Sequence, residues 1–67
     1  MAPIERMARR LKAARIEDGL TQQQLAERAG ISSGYYARLE RGEQDPPLTV
    51  IEKLAKALGV KVRSLLE

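Results

Sequence analysis

Apolar residues recur along this 67-residue chain at spacings of three and four, and short segments that contain glycine or proline separate these runs. Such spacing places apolar side chains on one face of an α-helix, whereas a half-buried β-strand alternates apolar and polar residues. No segment alternates in that way. The pattern predicts helices at about residues 4–18, 22–29, 33–41, 48–58 and 62–66. The expected fold class is therefore all-α, a compact five-helix bundle.

The first and fourth predicted helices carry the longest apolar stripes. In the first helix the stripe consists of Ile4, Met7, Ala8, Leu11 and Ala14, with Ile16 as a further candidate. In the fourth helix it consists of Leu48, Ile51, Leu54, Ala55 and Leu58. Gly19 and Gly59 are expected to end these two helices. Residues 43–47 are expected to form a loop, because the consecutive Pro46 and Pro47 cannot continue a helix.

Residues 21–42, with the sequence TQQQLAERAGISSGYYARLERG, predict two short helices joined by one glycine-centred turn. Thr21 is suited to cap the first of them with its hydroxyl, and Gly30 permits the left-handed backbone that ends it. Ser32 is suited to cap the second one in the same way. Two short helices joined by such a turn are the pattern of a helix-turn-helix.

The second helix of this motif has two unlike faces. Tyr36 and Leu39 are three residues apart and supply the inward face, whereas the polar or small residues fall on the other side. A sharp crossing of the two helices leaves the start of the second one protruding, which is a shape that fits the roughly 12 Å wide major groove of DNA. The outward residues are Ser33, Gly34, Tyr35 and Arg38.

The segments TQQQLAERAGIS, YYARLERG and PPLTVIEKLAKALGV occur in this order, and ARIEDGLTQ overlaps the start of the first. In these segments and their spacing the chain resembles, over residues 4–66, the Xre/Cro/phage-repressor family of DNA-binding domains. The resemblance implies one domain over residues 1–67, a lambda-repressor-like bundle in which helices two and three form the helix-turn-helix. It also implies a sequence-specific, double-stranded-DNA-binding transcriptional regulator, such as a repressor, that binds an inverted repeat as a homodimer.

The resemblance further indicates which side chains contact DNA. The recognition helix, about residues 33–41, lies in the major groove, and positions that match Ser32, Ser33, Gly34 and Arg38 line that groove in the family. The position that matches Gln22 contacts a phosphate at the start of helix two, where free N–H groups favour anions. The expected DNA contacts are Thr21, Gln22, Ser32, Ser33, Gly34, Tyr35, Arg38 and Arg41.

Several positions of the recognition helix leave alternatives open. Arg38 is suited to donate two hydrogen bonds to guanine, and a phosphate contact or an idle surface arginine is the alternative. Gly34 weakens a helix by about 0.5 to 1 kcal/mol relative to alanine, so it indicates either close approach of the backbone to DNA or simple drift. Tyr35 is expected to bond a phosphate or to pack on a thymine methyl group. Tyr36 matches a buried family position, with its hydroxyl expected at the surface.

Charged residues flank the predicted motif. Arg15 and Glu40 match a family ion pair that joins helices one and three and orients them. Glu43 and Asp45 depart from the family, in which this loop often carries lysine or arginine close to the phosphate backbone. One interpretation is that the acidic loop does not approach the DNA, so that Arg41 and Gln44 make the contacts there. The other is that the domain binds DNA weakly or binds another partner.

The formal net charge is +3, and the positive charge is concentrated near the start of the chain. Such a run is typical of a solvated helix face, but beside a helix-turn-helix it favours attraction to DNA phosphates. Residues 1–15 hold only one carboxylate, Glu5, against Arg6, Arg9, Arg10, Lys12 and Arg15.

Catalysis is not expected, since the chain has no histidine, no cysteine and no glycine-rich phosphate loop. For the same reason we expect no metal and no cofactor. The apolar runs are far shorter than the roughly 20 residues of a membrane span, so we expect a soluble protein without a membrane partner. The lack of cysteine fits a reducing, cytoplasmic location. The rival function is a protein-interaction module of the same fold, such as an antitoxin subunit or a coactivator-like adaptor with a protein partner.

The C-terminal region is the expected dimer interface, because it is more apolar than four helices alone would bury. The alternative is that its apolar residues all complete the core. If they form the interface, Leu65→Glu is expected to yield a folded monomer. The residues concerned are Val60, Val62, Leu65 and Leu66.

Overall fold

The computed structural model of the chain describes residues 3–67, with side chains from Ile4 onward, and Met1 and Ala2 lie outside the described residues. Within that range the backbone forms five helices and no strand, which confirms the predicted all-α class. No helix in the same range is both long enough and apolar enough to cross a lipid bilayer. The helices are α1 (Pro3–Glu17), α2 (Gln22–Ala29), α3 (Ser33–Glu40), α4 (Leu48–Leu58) and α5 (Val62–Leu66).

Local chemistry accounts for the helix ends. The predicted bounds are confirmed for α2, α4 and α5, and they differ by one residue at both ends of α1 and at the end of α3. Gly30 and Gly59 follow α2 and α4 with φ angles of 74° and 70°. These angles lie in the left-handed region, which a residue with a Cβ atom rarely adopts, so each glycine stops its helix and turns the chain.

The core lies where the helices meet. On one side α2 packs against α3 and α4, and on the other α1 packs against α3 and α5. Burial of a leucine or an aromatic side chain contributes about 1.5 to 3 kcal/mol, and every helix supplies at least one such group. The largest fully buried side chains are Leu11, Leu25, Tyr36, Leu39, Leu54 and Leu65. This shared core holds α2 and α3 in one fixed crossing.

Two predicted core residues lie at the surface instead. Ile16 and Leu48 are each 57% exposed. Ile16 is five residues beyond Leu11, which is a rotation of about 140° around the helix, so it lies off the inward stripe. Leu48 fits the stripe of α4 by spacing, but it is the first residue of that helix and lies at the edge of the core. The prediction that they are buried is wrong for both.

The C-terminal segment divides into buried and exposed residues. Leu65 is 1% exposed because α5 packs against α1 and α4, so it completes the core of a single chain. The prediction that Leu65 lies at a dimer interface is therefore wrong, and a glutamate in its place would bury a charge. Val62 is partly buried, whereas Val60 and Leu66 are 36% and 43% exposed.

Candidate nucleic-acid interface

Two side-chain caps fix the first residues of α2 and α3. The hydroxyl of Thr21 accepts a hydrogen bond from the Gln24 N–H at 3.0 Å, and the Gln24 side chain accepts one from the Thr21 N–H at 2.8 Å. The hydroxyl of Ser32 accepts a hydrogen bond from the Tyr35 N–H at 3.1 Å. These bonds confirm both predicted caps, and they satisfy amide groups that the first turn of a helix otherwise leaves without partners.

The two faces of α3 are as unlike as the sequence predicts. Tyr36 and Leu39 are both 0% exposed, which confirms the inward face. Tyr35, which was expected on the outward face, is only partly exposed, because it packs against the core. Of the residues predicted to contact DNA, Gln22 and Tyr35 are only partly exposed, and the other six are exposed: Thr21, Ser32, Ser33, Gly34, Arg38 and Arg41.

Arg38 extends back along α3 toward the start of the helix. The carbon of its guanidinium group lies 5.9 Å from the centre of the Tyr35 ring. A Cβ atom built on Gly34 would lie 3.9 Å from Nη1 of Arg38, which is an ordinary van der Waals contact. The positive charge of Arg38 therefore lies over the N-terminal half of the helix rather than over its own turn.

Arg41 follows α3 as its C-cap residue and forms an ion pair with the acidic loop. Its Nε donates a hydrogen bond to Oε2 of Glu43 at 3.0 Å, and the two side chains are 57% and 53% exposed. The same hydrogen bond raises the pKa of Arg41 and lowers the pKa of Glu43. Part of the charge that Arg41 would present to a phosphate is thus offset by the loop.

Behind the exposed face, Glu40 accepts four hydrogen bonds from three side chains. Arg15 donates from Nε at 2.6 Å and from Nη2 at 3.2 Å, and Gln22 donates from Nε2 at 3.0 Å. The Tyr36 hydroxyl donates to Oε2 of the same carboxylate. A further bond joins Nη1 of Arg15 to the Leu20 carbonyl at 2.7 Å. The Glu40 cluster, which consists of Arg15, Gln22, Tyr36 and Glu40, ties α1, α2 and α3 together.

Burial and hydrogen bonding have opposite effects on the acidity of this cluster. Burial favours the neutral form of Glu40, but hydrogen bonds from Arg15, Tyr36 and Gln22 outweigh it, so the pKa of Glu40 lies below its ordinary value. Burial and the bond to Glu40 together raise the pKa of the Tyr36 hydroxyl well above its ordinary value. The hydrogen bond to Glu40 also raises the pKa of Arg15. At neutral pH Arg15 and Glu40 are therefore both charged.

Two members of the Glu40 cluster differ from the sequence-based expectation. The Tyr36 hydroxyl is buried and bonded to Glu40, so the expectation that it reaches the surface is wrong. Tyr36 and Glu40 are four residues apart on one helix, and this spacing could have indicated their contact. Gln22 is partly buried, and one of its amide hydrogens is already bonded to Glu40. No local signal indicated that bond, because the two residues lie 18 positions apart.

The basic residues of α1 lie mainly on its outer face. Arg6, Arg9 and Arg10 line an open groove there with Ala13. Arg9 also lines a cleft with Arg41 at the end of α3, but Glu5 and Glu40 line the same cleft, so its charge is mixed. None of the arginines on this outer face forms an ion pair with any residue from 4 to 67. In the same part of the chain no three acidic, histidine or cysteine residues lie close enough to hold a metal ion.

The comparisons with known proteins agree with this geometry. The helix-turn-helix family model matches residues 11–65, which is most of the chain. The chain belongs to the helix-turn-helix family of the Xre and phage-repressor type. Among the relatives of this helix-turn-helix chain, the immunity repressor protein of Bacillus phage phi105 is 44% identical over 59 residues, which cover 88% of this chain and 41% of that protein.

Solved helix-turn-helix structures match nearly the whole chain. The restriction-modification controller protein C.AhdI from Aeromonas hydrophila has a TM-score of 0.93 and 35% identity, and the match covers 97% of this chain and 98% of that chain. SinR, the Bacillus subtilis master regulator for biofilm formation, was solved in complex with DNA. It has a TM-score of 0.88 and 35% identity, with coverage of 91% and 98%. By contrast, the chain spans between 41% and 60% of the length of three curated relatives that it matches.

Proposed function

We propose that this chain is a sequence-specific, double-stranded-DNA-binding transcriptional regulator that inserts α3 into the major groove. The observation that carries the proposal is the outward face of α3, where Ser33, Gly34 and Arg38 are exposed on a helix that caps and core packing hold in place. The similarity to SinR, which was solved with DNA at 35% identity, supports it. Residues 1–67 would act as one such DNA-binding domain.

The caps leave donors available for the DNA backbone. The hydroxyls of Thr21 and Ser32 each accept one hydrogen bond within the protein, and each still has its own hydrogen to donate to a phosphate. Gln22 keeps one amide hydrogen besides the one that it donates to Glu40. We assign these side chains to phosphate contacts, which position the helix without selecting a sequence.

Direct selection of bases would fall mainly to Arg38, because Ser33 and Gly34 have short side chains or none. An arginine can donate two parallel hydrogen bonds to guanine O6 and N7. Tyr35 would pack beside Arg38. Arg41 would break its ion pair with Glu43 and pair with a phosphate instead. The arginines on the outer face of α1 would add attraction that does not depend on sequence.

Assembly as a homodimer on an inverted repeat is part of the proposal. One DNA-binding domain of this size contacts only a few base pairs. Two such domains related by a two-fold axis bind half-sites about 34 to 36 Å apart. Because Leu65 belongs to the core, the proposed contact is restricted to Val60, Val62 and Leu66, two of which are well exposed. Sedimentation equilibrium tests this: a chain that stays monomeric on operator-length DNA and in free solution would contradict it.

The proposal includes a cytoplasmic location, because relatives come from bacteria, their phages and archaea, whose DNA lies in the cytoplasm. It includes no catalytic step.

Selection of bound sites from random double-stranded DNA, followed by titration at several salt concentrations, tests the proposed function. We expect enrichment of an inverted repeat, and an affinity whose logarithm falls with the logarithm of salt concentration by about 0.9 per phosphate contact. Absence of any enriched site, together with salt-insensitive binding to a protein, would instead support an interaction module.

A further inference from the structure

Gly34, Tyr35 and Arg38 are adjacent in space although Arg38 lies one helical turn further along α3. Residues three and four apart share one face of a helix, and long side chains on a helix point toward its N-terminus. Arg38 follows that direction, since its guanidinium group lies beside the Tyr35 ring and above Gly34. The three residues therefore form one structural unit on the face that α3 presents to solvent.

The lack of a side chain at Gly34 leaves room for this arrangement. The position of an added Cβ atom is 3.9 Å from Nη1 of Arg38, so a methyl group fits without displacement. A longer side chain would place its next atoms against the guanidinium group in any rotamer that continues toward Nη1 of Arg38. Gly34 has a helical backbone and no left-handed φ angle, so chain geometry does not account for a glycine at this position.

Tyr35 supplies an anchored partner for the arginine. Its ring is half-buried and packs on the core, so the ring does not move freely. A guanidinium group within about 6 Å of an aromatic ring centre is attracted to the ring face. No carboxylate among residues 4–67 forms an ion pair with Arg38, and Glu43 accepts its hydrogen bond from Arg41. The ring is thus a contact that favours this position of the guanidinium group in the free protein.

We propose that Gly34 and Tyr35 form a seat for the Arg38 guanidinium group and thereby determine which base pair Arg38 contacts. The seat holds the charge over the N-terminal half of α3, which is the part of a recognition helix that reaches base edges. A side chain already held in place loses less conformational freedom on binding. Gly34 and Tyr35 then act as positioning residues for Arg38. The effect on the choice of base pair rests on the proposed function, whereas the position of the guanidinium group in the free protein does not.

The first measurement is made on the full chain without DNA. An aromatic ring shifts the resonances of protons held close to it, so the Arg38 side-chain protons report on the seat by nuclear magnetic resonance. We expect a ring-induced shift in the wild type, in Tyr35→Phe and in Gly34→Ala. We expect its loss in Tyr35→Leu, which keeps an apolar side chain without a ring, and in Gly34→Leu, which fills the seat.

The second measurement compares site preference among the same variants by selection from random DNA. Loss of the seat is expected to lower the preference at one base pair of each half-site by about two- to fivefold, as expected for loss of an exposed cation–π contact. Tyr35→Phe should keep that preference whatever happens to overall affinity. Helical circular dichroism shows which variants fold, and the two leucine variants test the seat independently.

The outcomes separate this inference from the proposed function. If the wild type selects no DNA site, the proposed function fails, and the positioning role fails with it even where the resonance shift is present. If the wild type selects a site but Tyr35→Leu and Gly34→Leu leave both the shift and the preference unchanged, only the seat is contradicted. If the shift is lost and the preference is unchanged, the seat exists but does not determine specificity, which also overturns the proposal.

Discussion

The consecutive residues Glu40 and Arg41 at the end of α3 both form an ion pair, but the two pairs lie in different surroundings. The Arg15–Glu40 pair has a distance of 2.6 Å, and its side chains are 13% and 4% exposed. The Arg41–Glu43 pair has a distance of 3.0 Å, and both side chains are more than half exposed. Water and salt screen the second pair but hardly reach the first.

The difference in exposure separates two tasks. The buried pair joins α1 to α3, which are distant in sequence, so it helps to determine where α3 lies. Loss of either charge leaves the other one poorly hydrated and without its partner. The exposed pair can exchange partners at little cost, which suits Arg41 if it contacts a phosphate as proposed. One arginine–carboxylate pair thus orients the motif, and the neighbouring pair adjusts the charge that the motif presents.

The largest expected effect follows removal of the buried carboxylate. Glu40→Ala leaves Arg15 without its charged partner and is expected to cost about 3 kcal/mol of unfolding free energy, the low end of the range for a buried pair, because Arg15 is 13% exposed and keeps its bond to the Leu20 carbonyl. This is a large fraction of the whole stability of a small domain. Urea unfolding followed by circular dichroism measures it. The matched control is Glu43→Ala, which removes an exposed carboxylate and should leave the unfolding curve unchanged. Equal effects of the two variants would contradict the comparison.

The pH dependence of stability sharpens the same contrast. Because the pKa of Glu40 is lower in the folded protein than its ordinary value of 4.5, the unfolded chain binds a proton first as the pH falls. The stabilisation is therefore complete well above pH 4.5 and declines progressively below it. Urea unfolding of the wild type and of Glu40→Gln between neutral and acidic pH should give a difference in stability that shrinks below that value. If the unfolding free energies of the two proteins change with pH in parallel, Glu40 is not the cause of the pH dependence.

The smallest expected effect concerns the exposed pair. Glu43→Gln releases Arg41 for a phosphate, so it should strengthen binding to all DNA sequences alike and steepen the dependence of log affinity on log salt by about one. Titration of labelled duplexes at several salt concentrations measures both. The control is Glu52→Gln on α4, which neutralises a carboxylate elsewhere on the surface. A gain restricted to one sequence would show that Arg41 or Glu43 takes part in base selection.

Local signals in the sequence predicted the helices and the motif. Thr21, Gly30 and Ser32 act within their own turns, so their roles could be deduced from residue type and position alone. The buried faces of α2 and α3 followed from helical spacing in the same way. Burial at helix ends could not be deduced so well, because it depends on which neighbours cover the terminal turn: α1 and α4 pack against the helix of Leu65, whereas Leu48 at the start of α4 is 57% exposed.

The side-chain partners of the candidate site were less predictable. The resemblance to the family indicated the Arg15–Glu40 pair, but the bond from Gln22 to Glu40 joins residues that only the folded chain brings together. The position of the Arg38 guanidinium group depends on a rotamer, and helical spacing alone does not determine rotamers. The acidic residues of the loop were a departure from the family, and the structure gives one of them, Glu43, a partner in Arg41.

The central claim, that the outward face of α3 selects a DNA sequence, is tested most directly by Arg38→Ala on the selected site and on every single-base variant of it. We expect a loss of about 1 to 3 kcal/mol on the selected site and relaxed preference at one base pair of each half-site. Arg41→Ala, the control, should weaken all sequences about equally. A uniform loss for Arg38→Ala would make Arg38 a phosphate contact, and an unchanged affinity would contradict the claim.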